Sequence, residues 1–240
     1  MVLRSALLTG AMMMACCGVA MADPAPDMSA GKPVKALHWL DAQAFAPDRV
    51  LPDPAAAGSP EEQAEMASVR AFSRGASPER RAAAAVDAED ETLRAFNAAA
   101  GRDLTALPAT AHLIDLIEQD VEAVADNAKR RFHRTRPYIV DPTLARCGQE
   151  SARGAQRSYP SGHATFGWSV AWVLAELIPE RRAVLFARAR DYGFAREICA
   201  AHYPSDIEAG HVLGVLAARA MLADPRLAAD IAAARAELRG

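Results

Sequence analysis

The chain has 240 residues, 51% of them apolar, with 27 Lys+Arg against 30 Asp+Glu and a formal charge of −3. That apolar share is enough for a sizeable core, in one large domain or two small ones, and argues against disorder, while the slight acidic excess gives no footing for nucleic-acid binding. The longest apolar run beyond the N-terminus, Ala164 to Ile178, contains Glu176 and is short of the roughly 20 residues a bilayer requires, so no membrane span is expected.

Met1 to Ala22 carries a basic Arg4, an apolar stretch through Leu7, Leu8 and Met12 to Met14, and Ala20-Met21-Ala22 before Asp23. The pattern predicts a secretory signal peptide over residues 1–22 with an A-x-A cleavage site, and hence a soluble, periplasmic or secreted mature chain. Cys16 and Cys17 fall inside this stretch, where a Met three places before Cys16 fits a lipoprotein site poorly. Cleavage leaves 26 Lys+Arg against 30 Asp+Glu. It also leaves Cys147 and Cys199, an even pair that favours a disulfide in an oxidising compartment, although their spacing leaves open whether they meet.

Residues 23–55 are interrupted by Pro24, Pro26, Pro33, Pro47, Pro52 and Pro54, which reads as an extended surface arm, with Trp39 and Leu40 either pinning it to the core or trailing loosely. Ser59-Pro60-Glu61-Glu62 combines an N-cap serine, a proline at the first helical position and a glutamate completing a capping box, and predicts a helix to about Phe72. Ser77-Pro78 repeats the cap, and an alanine-rich helix is expected as far as Ala100 before Gly101.

From Thr110 to Ala128, Leu113, Ile114, Leu116, Ile117, Val121, Val124 and Ala128 recur near the 3.6-residue period, with Asp115, Glu118 and Asp120 opposite; this is a core-facing helix. His163 to Leu177 is apolar almost all round and therefore central, followed by helices from about Glu180 to Ala201, from Ser205 to Leu222, and beyond Pro225. No alternating β-branched run and no internal repeat is present. The fold class read from this is all-α, a single helical-bundle domain over residues 23–240 with a buried central helical hairpin.

Three clusters carry chemistry. The first is the basic run Lys129 to Arg136, closed by Pro137. By itself such a run reads as a solvated helix face, but Pro137 cannot continue a helix, which would leave Arg136 at its end and Lys129 two turns back. The second, Tyr159-Pro160-Ser161-Gly162-His163, reads as a tight turn opening into a helix whose first free N–H groups suit an anion. Taken in isolation its default reading is a plain N-cap, with His163 a helix-start residue in solvent. The third is Arg196, His202 and Asp206, in which a first-turn carboxylate can bond one ring nitrogen of His202 and leave the other nucleophilic, or simply cap its helix.

In this order, Lys-x6-Arg-Pro, Pro-Ser-Gly-His and Arg-x5-His-x3-Asp resemble the motifs of the type-2 phosphatidic acid phosphatase superfamily, and with the signal peptide the chain is most similar to its bacterial class A non-specific acid phosphatases. The resemblance covers Lys129 to Asp206 and implies that family's helical fold. It implies that Lys129, Arg136 and Arg196, with Ser161 and the Gly162 backbone, bind phosphate; that His202 attacks phosphorus; that Asp206 orients His202; and that His163 protonates the leaving group. Cys147 and Cys199 also resemble family positions expected to pair. Ala195 stands where the family has serine before the arginine, and Pro-Ser-Asp after His202 is similar to the lipid-phosphatase branch.

The implied activity is hydrolysis of small phosphate monoesters through a phosphohistidine intermediate, without metal or other cofactor and with vanadate as an inhibitor. A vanadium-dependent haloperoxidase and a non-catalytic exported phosphate-binding protein are the alternatives, and a homo-oligomer is left open. Phosphoryl transfer asks chiefly for in-line positioning and positive charge around the equatorial oxygens, which arginine forks and a lysine supply. His38, His112, His133 and His211 lack ligand spacing with paired acids and read as structural, His211 on the last helix behind the site being the least clear-cut of the four.

Overall fold

A computed structural model of the protein describes residues 34–148 and 154–239. The expected signal peptide, with Cys16 and Cys17, and the first part of the arm lie outside the described residues. The described residues form ten α-helices in chain order: α1 Pro47–Val50, α2 Pro60–Gly75, α3 Pro78–Glu89, α4 Asn97–Ala100, α5 Pro108–Phe132, α6 Pro137–Val140, α7 Gly162–Leu177, α8 Arg182–Ile198, α9 Pro204–Leu222 and α10 Ala228–Arg239. Among the described residues there is no strand, and no helix is long and apolar enough to cross a membrane. The protein is all-α.

Helix α7 is the centre, as its all-round apolar sequence requires. Val170, Ala171, Val173 and Leu174 are fully buried, and α8, α9 and α5 pack around them. The crossing with α9 is close because α9 carries glycine where the two backbones meet: a Cβ on Gly210 would lie 2.5 Å from the Ser161 carbonyl oxygen, and one on Gly214 would lie 2.3 Å from that of Thr165. Real side chains cannot approach backbone so closely. This contact, with a hydrogen bond from Ser161 N to the Asp206 carbonyl at 2.8 Å, locks the start of α7 to the first turn of α9.

The expected capping of α2 is present in modified form. Ser59 Oγ accepts from Glu62 N at 3.1 Å, but the Glu62 carboxylate reaches back to Gly58 N rather than to Ser59 N. The alanine-rich helix expected to reach Ala100 ends instead at Glu89. Thr92 Oγ1 donates to Asp90 Oδ1 at 2.5 Å, a local bond that competes with the helix, and Tyr192 Oη, from α8, takes up the Asp90 carbonyl at 2.7 Å. A 3-10 turn, Leu93–Phe96, and the short α4 resume before Gly101.

Asp120 corrects the polar face assigned to α5. It is fully buried, and its two carboxylate oxygens accept from the backbone N–H groups of His38, Trp39 and Leu40, each at 2.8 Å. Leu40 is buried and Trp39 packs on the core, with the Arg226 guanidinium 4.9 Å above the indole. The arm is therefore pinned, and a carboxylate does much of the pinning.

Candidate active site

Helix α5 runs one turn beyond the expected Ala128 and ends at Phe132, where His133 takes the left-handed conformation (φ 48°). Lys129 thus sits in its last turn, 7% exposed, with Nζ donating to the Pro160 carbonyl. Arg136 is not at the end of this helix, as Pro137 had indicated. It is the N-cap residue of α6, because proline starts a helix more readily than it ends one. Its Nε donates to the Gly154 carbonyl at 2.9 Å and Nη1 to that of Ala201 at 3.1 Å.

The second cluster follows a cis Tyr159–Pro160 peptide. Ser161 caps α7, its Oγ accepting from Ala164 N at 3.3 Å. In the third cluster, α8 ends at Ile198 and Ala200 adopts the left-handed conformation (φ 52°). The Schellman-type bonds from Ala200 N and Ala201 N to the Glu197 and Arg196 carbonyls close the helix and turn the chain so that His202 faces Arg136. The disulfide Cys147–Cys199, Cα–Cα 5.0 Å, fastens this turn to the segment after α6. Ala195 is buried beside it, packed with Ala84, Cys147 and Ile198.

Lys129, Arg136, Gly162, His163, Arg196 and His202 line one cavity of about 1050 Å³. Ser161 and Asp206, both fully buried, stand behind its wall rather than on it. The other four histidines lie elsewhere. His112 is 3.7 Å from Asp230 and His211 stacks on Trp168 with ring centroids 3.7 Å apart.

His202 has its tautomer set by its neighbours. Nε2 lies 3.2 Å from Arg136 Nη1, a group that can only donate, so Nε2 holds a lone pair and Nδ1 holds the proton, which it donates to the Ser158 carbonyl at 2.7 Å. Burial first, then the charges of Arg136, Lys129, Arg196 and His163, hold the ring well below the ordinary histidine range. The expected direct bond from Asp206 is absent: Oδ2 is 3.5 Å from Nδ1. Asp206 acts at one remove, accepting from Ser158 Oγ at 2.6 Å and from Tyr203 N at 2.8 Å.

Arg134 completes this arrangement and was not distinguished from the rest of the basic run. Its side chain, 4% exposed, donates to Asp206 Oδ1 at 2.7 Å, to Ser205 Oγ at 2.8 Å and to Glu65 Oε2 at 2.6 Å, and lies 3.9 Å over the Tyr203 ring. Two further residues were not assigned to the site, Glu118 having been placed on the polar face of α5. Glu91, in the break after α3, meets His163 Nδ1 at 2.9 Å. Glu118, on the cavity wall, has its carboxyl pushed up to about 8 by burial and by Asp115, Glu91 and Glu122.

The cavity is therefore bipolar, with cations at one end and carboxyl groups along a wall. Burial, with Arg136 and Arg157, lowers the Lys129 ammonium to about 7, the state of a cation awaiting an anion. An oxyanion placed among Lys129, Arg136 and Arg196 would face the His202 lone pair.

Residues 115–228 match the PAP2 superfamily. This chain carries a PAP2 superfamily domain. The three clusters lie inside it. Among curated relatives, an acid phosphatase of Zymomonas mobilis is 37% identical over 152 residues, covering 61% of this chain and 56% of that protein. A non-specific acid phosphatase of Salmonella typhimurium is 35% identical over 113 residues, 47% of this chain and 45% of that protein. A lipid A 1-phosphatase of Rhizobium johnstonii shares 35% over 92 residues, 38% of each chain. The chain spans about half the length of the acid phosphatases it matches.

Proposed function

We propose that this protein is an exported acid phosphatase that hydrolyses small phosphate monoesters through a phosphohistidine on His202 Nε2. The observation that carries the reading is the tautomer of His202: a buried, neutral ring whose lone pair faces a cavity end supplied with three cations. The names of the relatives support the same class of reaction.

The phosphoryl group would sit with its oxygens on Lys129, Arg136, Arg196 and the Gly162 N–H, an arrangement that stabilises the charge of the transferring group. His202 Nε2 attacks phosphorus as the ester P–O bond breaks. The Ser158 carbonyl, held through the Ser158 hydroxyl by Asp206, takes up the Nδ1–H dipole as the ring becomes cationic. His163, on the same cavity, gives the leaving oxygen its proton and later takes one from the hydrolytic water. The phosphate charge is met by side chains, so the reading calls on no metal.

The pH window follows from the same groups. The depressed basicity of His202 extends its neutral form to lower pH than an ordinary histidine allows, whereas Lys129, lowered to about 7, gains its charge as pH falls through that value. A nucleophile that is free in acid and a binder that is charged in acid both favour acidic working conditions. Turnover of p-nitrophenyl phosphate at acidic pH by protein treated with EDTA is the expected result. Activity that EDTA abolishes and a divalent metal restores, or peroxide-dependent halide oxidation after vanadate addition without phosphatase turnover, would replace the reading.

A further inference from the structure

His163 is held by both of its ring nitrogens. Nδ1 lies 2.9 Å from Glu91 Oε1 and Nε2 lies 3.1 Å from the Ala88 carbonyl oxygen. Neither oxygen can donate, and a neutral imidazole has only one N–H, so only the doubly protonated ring satisfies both contacts. The ring is also stacked on Tyr192, centroids 5.6 Å apart and planes at 29°, which fixes its plane. The Glu91 side chain is 53% exposed and that of His163 12%. The acceptor at Nδ1 is thus a carboxylate on the cavity rim, and the acceptor at Nε2 is a backbone carbonyl without formal charge in the last turn of α3.

We infer that Glu91 is a positioning residue that keeps His163 in its proton-loaded form, with Nδ1–H anchored on the carboxylate and Nε2–H left as the proton delivered to the leaving group. This rests on the phosphatase reading. The Ala88 carbonyl, which also lines the cavity, is the weaker acceptor of the two, and a leaving-group oxygen entering the cavity takes its place on Nε2–H. As the P–O bond breaks, its electron pair stays on that oxygen, which takes the Nε2 proton while His202 forms the N–P bond. His163 is then neutral with Nδ1–H still on Glu91. In the second step Nε2 takes a proton from the water whose oxygen bonds to phosphorus, and the N–P pair returns to His202.

The surroundings explain why a carboxylate is needed at Nδ1. Arg196 and the Tyr192 ring face His163 from α8, and the charge of His163 in turn helps to lower the neutral His202 ring. Lys129 and Glu118 on α5 act on Glu91 itself, one lowering and the other sharing its negative field. Burial and then Arg196 drive the His163 proton off and on balance hold the ring below the ordinary histidine range, and Glu91 is the largest force opposing them. The break in the helix after Glu89 has a purpose on this account, because a helix continued to Ala100 would carry Glu91 onward with its own turn rather than out to the ring.

The test is an NMR titration of the His163 ring nitrogens in 15N-labelled wild-type, Glu91→Gln and Glu91→Asp proteins, with the signals assigned by their loss in His163→Asn. In parallel, pH–rate profiles are taken with p-nitrophenyl phosphate and with an alkyl phosphate. Removing a half-exposed carboxylate should lower the His163 midpoint by about one pH unit. The alkaline limb for the alkyl ester should move down with it, the limb for p-nitrophenyl phosphate should move less, and Glu91→Asp should restore part of both. An unchanged midpoint in Glu91→Gln overturns the inference, as does equal loss on both substrates with neither limb displaced. If wild-type protein turns over neither ester, the phosphatase reading fails while the NMR midpoint still decides whether Glu91 holds the proton on His163.

Discussion

Asp206 lies 3.5 Å from His202 Nδ1 but 2.7 Å from Arg134 Nη1, so its nearest ionic partner is the arginine and not the histidine. Breaking a buried pair by neutralising one member costs about 3–5 kcal/mol, because the other is left buried and unmatched. Arg134 keeps Glu65, which places Asp206→Asn at about 3 kcal/mol. Urea denaturation should show a midpoint shift of that size. His202 retains its Ser158 carbonyl, so the variant assayed well below its unfolding transition should keep measurable activity. A loss of activity with stability unchanged would contradict the indirect role given to Asp206.

Gly210 offers a test of how the site is assembled. A methyl group there would lie 2.5 Å from the Ser161 carbonyl and 2.8 Å from the Ala164 Cβ, so Gly210→Ala must push α7 from α9. Overpacking of this kind costs about 1–3 kcal/mol. Since the displaced segment carries Gly162 and His163, KM for a phosphate monoester should rise as well. Wild-type stability and KM in this variant would mean that the crossing does not position the site.

The three clusters, their order and the central helix were legible in the sequence because each rests on local chemistry: prolines that start helices, a serine cap and an unbroken apolar run. Glu91, Arg134 and Asp120 were not. Glu91 sits in what reads as continuous alanine-rich helix, and the break is marked by the Asp90–Thr92 hydrogen bond together with Tyr192, which reaches the Asp90 carbonyl from α8. Arg134 is one cation in a run, distinguished by what α9 brings to it. Asp120 occupies a position that a 3.6 period assigns to solvent, and its burial depends on an arm some 80 residues away. In each case the deciding partner is remote in sequence.

Glu118 and Lys129 make the pH dependence testable. The Glu118 carboxyl is raised from 4.5 to about 8, so its contribution to stability is present below 4.5 and is lost as pH rises through about 8. Its ionisation there adds negative charge to the cavity wall just as Lys129, lowered to about 7, loses its own charge. Phosphate should therefore raise the melting temperature more at pH 5.5 than at pH 9. Glu118→Gln should flatten the rise of KM above pH 8. A phosphate-induced shift that grows with pH would contradict both assignments.

Vanadate should inhibit competitively, because a five-coordinate vanadate on His202 Nε2 copies the geometry of phosphoryl transfer. Inhibition constants measured across pH should be lowest where Lys129 is charged. Non-competitive behaviour would place vanadate outside the cavity.

The most direct measurement of the central claim is rapid quenching, without acid, of the protein mixed with 32P-labelled substrate, followed by mapping of acid-labile phosphate. The account predicts label on His202, none in His202→Ala, and retained label in His163→Ala with p-nitrophenyl phosphate, whose leaving group needs no proton. Label on Ser161, or no label on any residue while a phosphohistidine control survives the same work-up, would contradict it.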